Sequence, residues 1–274
     1  MTAPERILCE ASALVIVVEK LRLMGYAGFW VVVLVGMVLT KAFANIDLNE
    51  TLLVEVFGYN NICVYFDFPP ATYVLPFLWA VTLVLLLLYV AAHWLQMSAQ
   101  VQQGTLSRKL YGLLSCLKLF EAFTLVSFST IFAVNPMGWD HTLFIHTAPF
   151  LLLQVGLVSL AMSNTLHGIN SGYWHWLGLS AWFDRAAIVH CILLGIVLCF
   201  KIPAAIHAMA GSPWWIQTDT FESVARFFDL MFLFLAAIVP MAKAAYLVYA
   251  KADKLEVVHL TANTRGLPGK QMVR

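Results

Sequence analysis

The segment TYVLPFLWAVTLVLLLLYVAAHWL, residues 72–95, runs without a charged side chain. As a helix it rises about 36 Å, more than the roughly 30 Å hydrocarbon thickness of a bilayer. In lipid a backbone must satisfy its own hydrogen bonds, which a helix does. This run therefore predicts a membrane-spanning helix.

Five further segments meet the same test of about 20 predominantly apolar residues. With 72–95 they give spans at about 25–45, 70–95, 110–134, 142–165, 180–203 and 225–249. Composition agrees: 61% of the chain is hydrophobic and 11% charged, against about 45–50% and about 25% in soluble domains. The expected fold is all-α, a polytopic six-transmembrane-helix bundle. No phosphate-binding glycine loop, CxxC pair or HExxH motif appears, and a net charge of +1 gives no argument for nucleic acid.

Before the first span, Ile7, Leu8, Ala11, Leu14, Val15, Val18 and Leu21 recur at helical spacing, with Arg6, Glu10, Glu19 and Lys20 mostly opposite. This pattern predicts an amphipathic helix on the membrane surface rather than a signal peptide; the alternative is an early start to the first span. The expected organisation is a cytosolic amphipathic segment at 1–24, a six-helix domain at 25–250 and a cytosolic basic tail at 251–274.

Orientation follows from Lys and Arg. Arg6, Lys20, Arg22, Arg108, Lys109, Lys251, Lys254, Arg265, Lys270 and Arg274 fall on the side of the termini; Lys41, Lys201 and Arg226 fall on the other. The positive-inside rule then puts both termini in the cytosol. Asn49-Glu50-Thr51 is an N-glycosylation sequon in a loop this threading places outside. The expected location is the plasma membrane or an endomembrane, with lipid as the main partner and room for membrane-protein partners or a homo-oligomer. Cys63 alone faces the oxidising side, so no intrachain disulfide is expected.

Polar groups in hydrocarbon cost about 2.5–3.5 kcal/mol each at mid-helix, so each should face protein or a wet cavity. Lys118 and Glu121 can pair at i,i+3, or Glu121 can serve as a cation or proton group. Glu121, Gln154, Asn164, His190 and Asp229 are the cavity or ion-pathway candidates. Asp229 can face Arg226 one turn earlier, and Lys243 is expected to snorkel towards the cytosol. Trp94, Trp139, Tyr173, Trp174, Trp176, Trp214 and Trp215 suit an interfacial belt. Pro149, Pro203 and Pro240 can kink their spans and free carbonyls for neighbours.

NPMGWDHTLFIHTAPF, residues 135–150, gathers Asp140, His141 and His146. His141 and His146 lie about 140° apart on one helix, so a zinc site there would require the helix to begin between them. Asp140 as N-cap of the fourth span is the simpler use. Histidines also permit a haem reading. His93 with His167 on one side, and His146 with His207 on the other, could hold two bis-histidine haems in the manner of transmembrane b-type cytochromes.

Loops this short leave no extramembrane enzyme domain. The leading expectation is a non-catalytic multi-pass protein, transporter-like, channel-like or an accessory scaffold, with no cofactor and no metal; haem b and electron transfer are the alternative. A transporter predicts that the polar candidates line one cavity. A scaffold predicts that they satisfy one another between helices.

Overall fold

The computed structural model describes residues 14–134, 142–209, 219–252, 255 and 257–260. Six of its helices are long and apolar enough to cross a membrane, and the protein is an all-α bundle of these six. The spans are α1 (Val18–Phe43), α3 (Ala71–Gln102), α4 (Arg108–Phe128, continued by a 3₁₀ turn to Phe132), α5 (Thr142–Asn170) and α7 (Ala181–Met209). The sixth is composite: α8 (Asp219–Leu233), a π-helical turn at Phe234–Ile238, then α9 (Val239–Ala250). Short helices α2 (Leu52–Phe57) and α6 (Tyr173–Trp176) lie in the connections.

The first span starts earlier than its apolar run. Leu14–Val17 form a strand, β1, and α1 begins at Val18. The amphipathic surface helix expected over 1–24 is thus replaced, from Leu14 on, by a strand and the first turns of the span; residues 1–13 lie outside the described residues. Val15, Ile16 and Val17 are β-branched and favour extended backbone, and they find a partner. β1 pairs antiparallel with β2 (Val257–Leu260), Leu14 opposite Leu260 and Val17 opposite Val257. Helix can begin ahead of the charges because Glu19 and Arg22 pair at i,i+3, 3.1 Å apart.

Each span packs on its successor, and the last closes onto the first through α9 and α1. The pairing of α1 with α3 depends on small residues. A Cβ added at Gly25 would meet Leu86 at 2.6 Å, and one at Gly28 would meet Thr82 at 2.8 Å, so bare glycine lets the backbones approach. Gly156 of α5 likewise sits against Thr124 of α4 with no space for a side chain.

Local caps set several boundaries. Ser107 Oγ accepts from Leu110 N at the start of α4, and Thr51 Oγ1 from Val54 N at the start of α2. α2 ends at Gly58, whose φ of 78° suits the left-handed C-cap. α3 outruns its apolar stretch by about two turns, because Gln96 and Gln100 are buried among neighbours rather than stranded in lipid. One end of the bundle carries β1, β2 and the 103–107 and 171–180 connections; this is the termini face. The other carries residues 44–70 and is the loop face.

Candidate functional site

Two polar regions occupy opposite halves of the bundle, separated by an apolar layer. The half nearer the termini face holds a fully buried network. Lys118 and Glu121 are each 1% exposed and 2.7 Å apart. Ser163 of α5 donates to Glu121 Oε1 at 2.6 Å and accepts from Lys118 Nζ at 3.0 Å. One hydroxyl thus serves both members of the ion pair, which is what makes the charges tolerable at this depth. Tyr89 donates to Asn164 Oδ1 at 2.8 Å, and Lys118 stands 5.7 Å from the centre of the Tyr89 ring.

His93 and His167 do converge. His167 Nε2–H donates to Gln100 Oε1 at 2.6 Å, which leaves His167 Nδ1 to accept from His93 Nε2 at 2.9 Å. The pair therefore meets ring to ring, with centres 4.7 Å apart. Tyr89 stacks on His93 and Tyr173 on His167. Tyr173 and Trp174, expected in the interfacial belt, are buried; Trp176 is exposed. Trp174 instead receives Lys243, whose ammonium lies 3.8 Å from the ring centre and 4.8 Å from that of Phe183. Cation–π attraction holds inward the lysine expected to snorkel outward.

His190 lies apart from this network. Its Nε2 donates to the Leu235 carbonyl at 2.7 Å, within the π turn. Pro240, just beyond that turn, has no N–H to return to a carbonyl one turn back. An imidazole from α7 thus serves a backbone irregularity in the last span.

Trp79, Leu86, Leu125, Leu153, Leu157 and Leu160 form the apolar layer, around a void of about 30 Å³. Beyond it, towards the loop face, two larger cavities flank α8. One of about 590 Å³ lies between α5, α7 and α8; the other, of about 700 Å³, lies between α1, α5 and α8. Both fall in the range of small-molecule sites, about 300–1,000 Å³. They exist because α8 packs principally on α7, whereas α9 packs on α1.

Tyr59, Asn61, Phe150, Gln154, Lys201 and Asp229 line both cavities. Lys201 of α7 pairs with Asp229 of α8, and Tyr59 donates to the other Asp229 oxygen at 2.6 Å. Burial and the facing carboxylate push the Tyr59 phenol well above its ordinary range. Lys201 and Tyr59 reach Asp229 from an adjacent helix and a loop that no spacing rule connects. Gln154 is 1% exposed, and its Oε1 has no hydrogen-bond partner. A buried amide oxygen left unpaired costs about 1–3 kcal/mol, so it marks a place where something else is meant to bond.

Near the loop face, His146 Nδ1 donates to the Val134 carbonyl at 2.8 Å, and Nε2 lies 3.1 Å from Asp67 Oδ1. With Nδ1 committed, this contact is attractive only when a proton sits between ring and carboxyl. Burial pushes the Asp67 carboxyl above its ordinary value, against the lowering effect of the His146 hydrogen bond.

Of the five cavity candidates, Gln154 and Asp229 share a cavity, Glu121 and Asn164 belong to the buried network, and His190 serves the π turn. Asp140 and His141, with the N-cap and zinc readings, lie outside the described residues, and the side chain of His207 is not described. Among the described residues no three His, Cys, Asp or Glu side chains group as metal ligands. In the sequence Lys201 served only for orientation and Tyr59 went unmarked; a lysine two residues from the end of the 180–203 apolar run was the available signal. No protein-family model, curated protein or solved structure matches the chain.

Proposed function

We propose that this multi-pass membrane protein is of the transporter type, taking a small ligand into the cavities beside α8. The observation that carries this reading is Gln154: buried, unpaired at its oxygen, and lining a cavity in which Lys201, Asp229 and Tyr59 are bonded to one another. The apolar layer beneath it suits a bundle that keeps its two faces apart until it moves. On this reading the loop face is external, the termini are cytosolic, Asn49 is a glycan acceptor, and the membrane is the plasma membrane or an endomembrane.

A structural-subunit reading has its own support. Glu121, Asn164 and His190 are each satisfied by a neighbouring helix, as a scaffold predicts. The two readings separate when the purified chain is extracted and its retained small molecules are identified by mass spectrometry. A molecule held near one per chain, and lost in both Gln154→Leu and Ala205→Trp, is the expected result. Wild-type protein that retains nothing these substitutions remove would decide for the scaffold.

A further inference from the structure

We infer that the ligand of the smaller α8 cavity, between α5, α7 and α8, is an uncharged, hydroxyl-bearing amphiphile that enters from the bilayer with its head pointing inward. This rests on the ligand-binding reading above and adds the chemical class.

The first argument is depth. Lys201 lies eight residues before the end of α7, Asp229 ten after the start of α8 and Gln154 twelve after the start of α5. At 1.5 Å per residue these groups sit about 12, 15 and 18 Å below the helix ends. On its lipid side the wall of the smaller cavity is Phe200, Val224 and Phe228, all apolar, while Thr147 and the loop residues Tyr59 and Asn61 lie on the protein side. The polar floor is therefore deep and the lipid-side mouth apolar. A lipid seated as in the surrounding leaflet would put its head at that mouth and its chain against the charges. The inverted orientation matches the wall at both ends.

The second argument is charge. Lys201 and Asp229 cancel each other on the floor, and Arg226 lines the larger cavity, not this one. A head bearing a net charge would be uncompensated at a depth where such a charge costs several kcal/mol. The floor favours a neutral head.

The third argument is hydrogen bonding. Gln154 Oε1 needs a donor. An ammonium has three N–H groups, so Lys201 keeps donors beyond the one given to Asp229. A hydroxyl has the chemistry for both groups, a proton for Gln154 and lone pairs for Lys201. A carboxylate or phosphate has no proton for Gln154, and an ammonium head would meet Lys201 as a like charge.

The source is the bilayer because the cavity is open on its lipid side. Phe200 and Val224 line it and are 58% and 46% exposed. Phe200 and Phe228 stack across the α7–α8 seam with ring centres 5.0 Å apart, so an acyl chain or ring system passing the seam would slide on aromatic faces.

The test uses the full chain in phosphatidylcholine nanodiscs doped separately with 1-octadecanol, stearate or octadecylamine, read by native mass spectrometry. A one-to-one octadecanol adduct is expected, reduced at least fivefold by Gln154→Leu and removed by Ala205→Trp. Ala205→Trp blocks the cavity from another helix, so the proposal stays testable if Gln154→Leu fails to fold. Stearate or octadecylamine retained as well as the alcohol would overturn the uncharged class while leaving the cavity reading standing. If neither variant reduces any adduct, both are overturned.

Discussion

Glu121 and Lys118 show how a membrane interior holds charge: by completing it locally. Their pairing was legible in the sequence because i,i+3 spacing is a property of one helix. Ser163, which bonds both, was not, because its partners lie more than 40 positions away. Glu121→Gln should leave the Lys118 ammonium buried without its counter-charge and cost about 3–5 kcal/mol. The double variant Lys118→Met/Glu121→Leu should recover most of that loss, as read by denaturation in detergent micelles. Equal losses in both would contradict the pairing. Asp67 makes a prediction about pH. Its carboxyl is raised in the folded chain, so the native state holds this proton more tightly than the unfolded state does. Its contribution to stability is complete below the ordinary aspartate value, about 4, and is lost as pH rises through the folded value. Asp67→Asn should flatten the dependence of the apparent melting temperature across that window. An unchanged slope would remove Asp67 as its origin.

The six spans were readable from apolar length alone, because lipid penalises any interruption that is not paired. Their ends were not. α1 reaches back to Val18 because Glu19 and Arg22 neutralise each other, and α3 runs on to Gln102 because buried glutamines extend it. Hydropathy counts such residues as terminators, whereas packing decides them. The cavity candidates were half legible for a related reason. Gln154 is conspicuous as a polar group within an apolar run, but the Lys201–Asp229–Tyr59 cluster forms only once α7, α8 and the loop before α3 meet. Helix packing is also the more exposed to small changes. Gly156→Val should separate α4 from α5 at Thr124 and cost about 1–3 kcal/mol. Thr124→Ala in the same chain should restore part of it, measured by the same denaturation.

Six crossings put both ends of the described chain on one face, and β1 against β2 fastens them together. If that face is cytosolic, cysteines introduced at Lys20 and Lys251 should react with a membrane-impermeant maleimide only after intact cells are permeabilised. Their labelling in intact cells would reverse the orientation. An added glycan at Asn49, removed by Asn49→Gln, is the matching result for the opposite face; a glycan that survives the substitution would place the acceptor elsewhere.

The β1–β2 pairing also makes the order of the spans cyclic. Because Leu14 faces Leu260 across two hydrogen-bonded strands, the stretch from 14 to 260 is one short linker away from being a closed loop. Synthesis has to begin somewhere on that loop, but the packing does not depend on where. A chain joined from 260 to 14 and opened at Gly104, on the same face, would insert its spans in the order α4, α5, α7, α8–α9, α1, α3, keeping an even number of crossings and every neighbour.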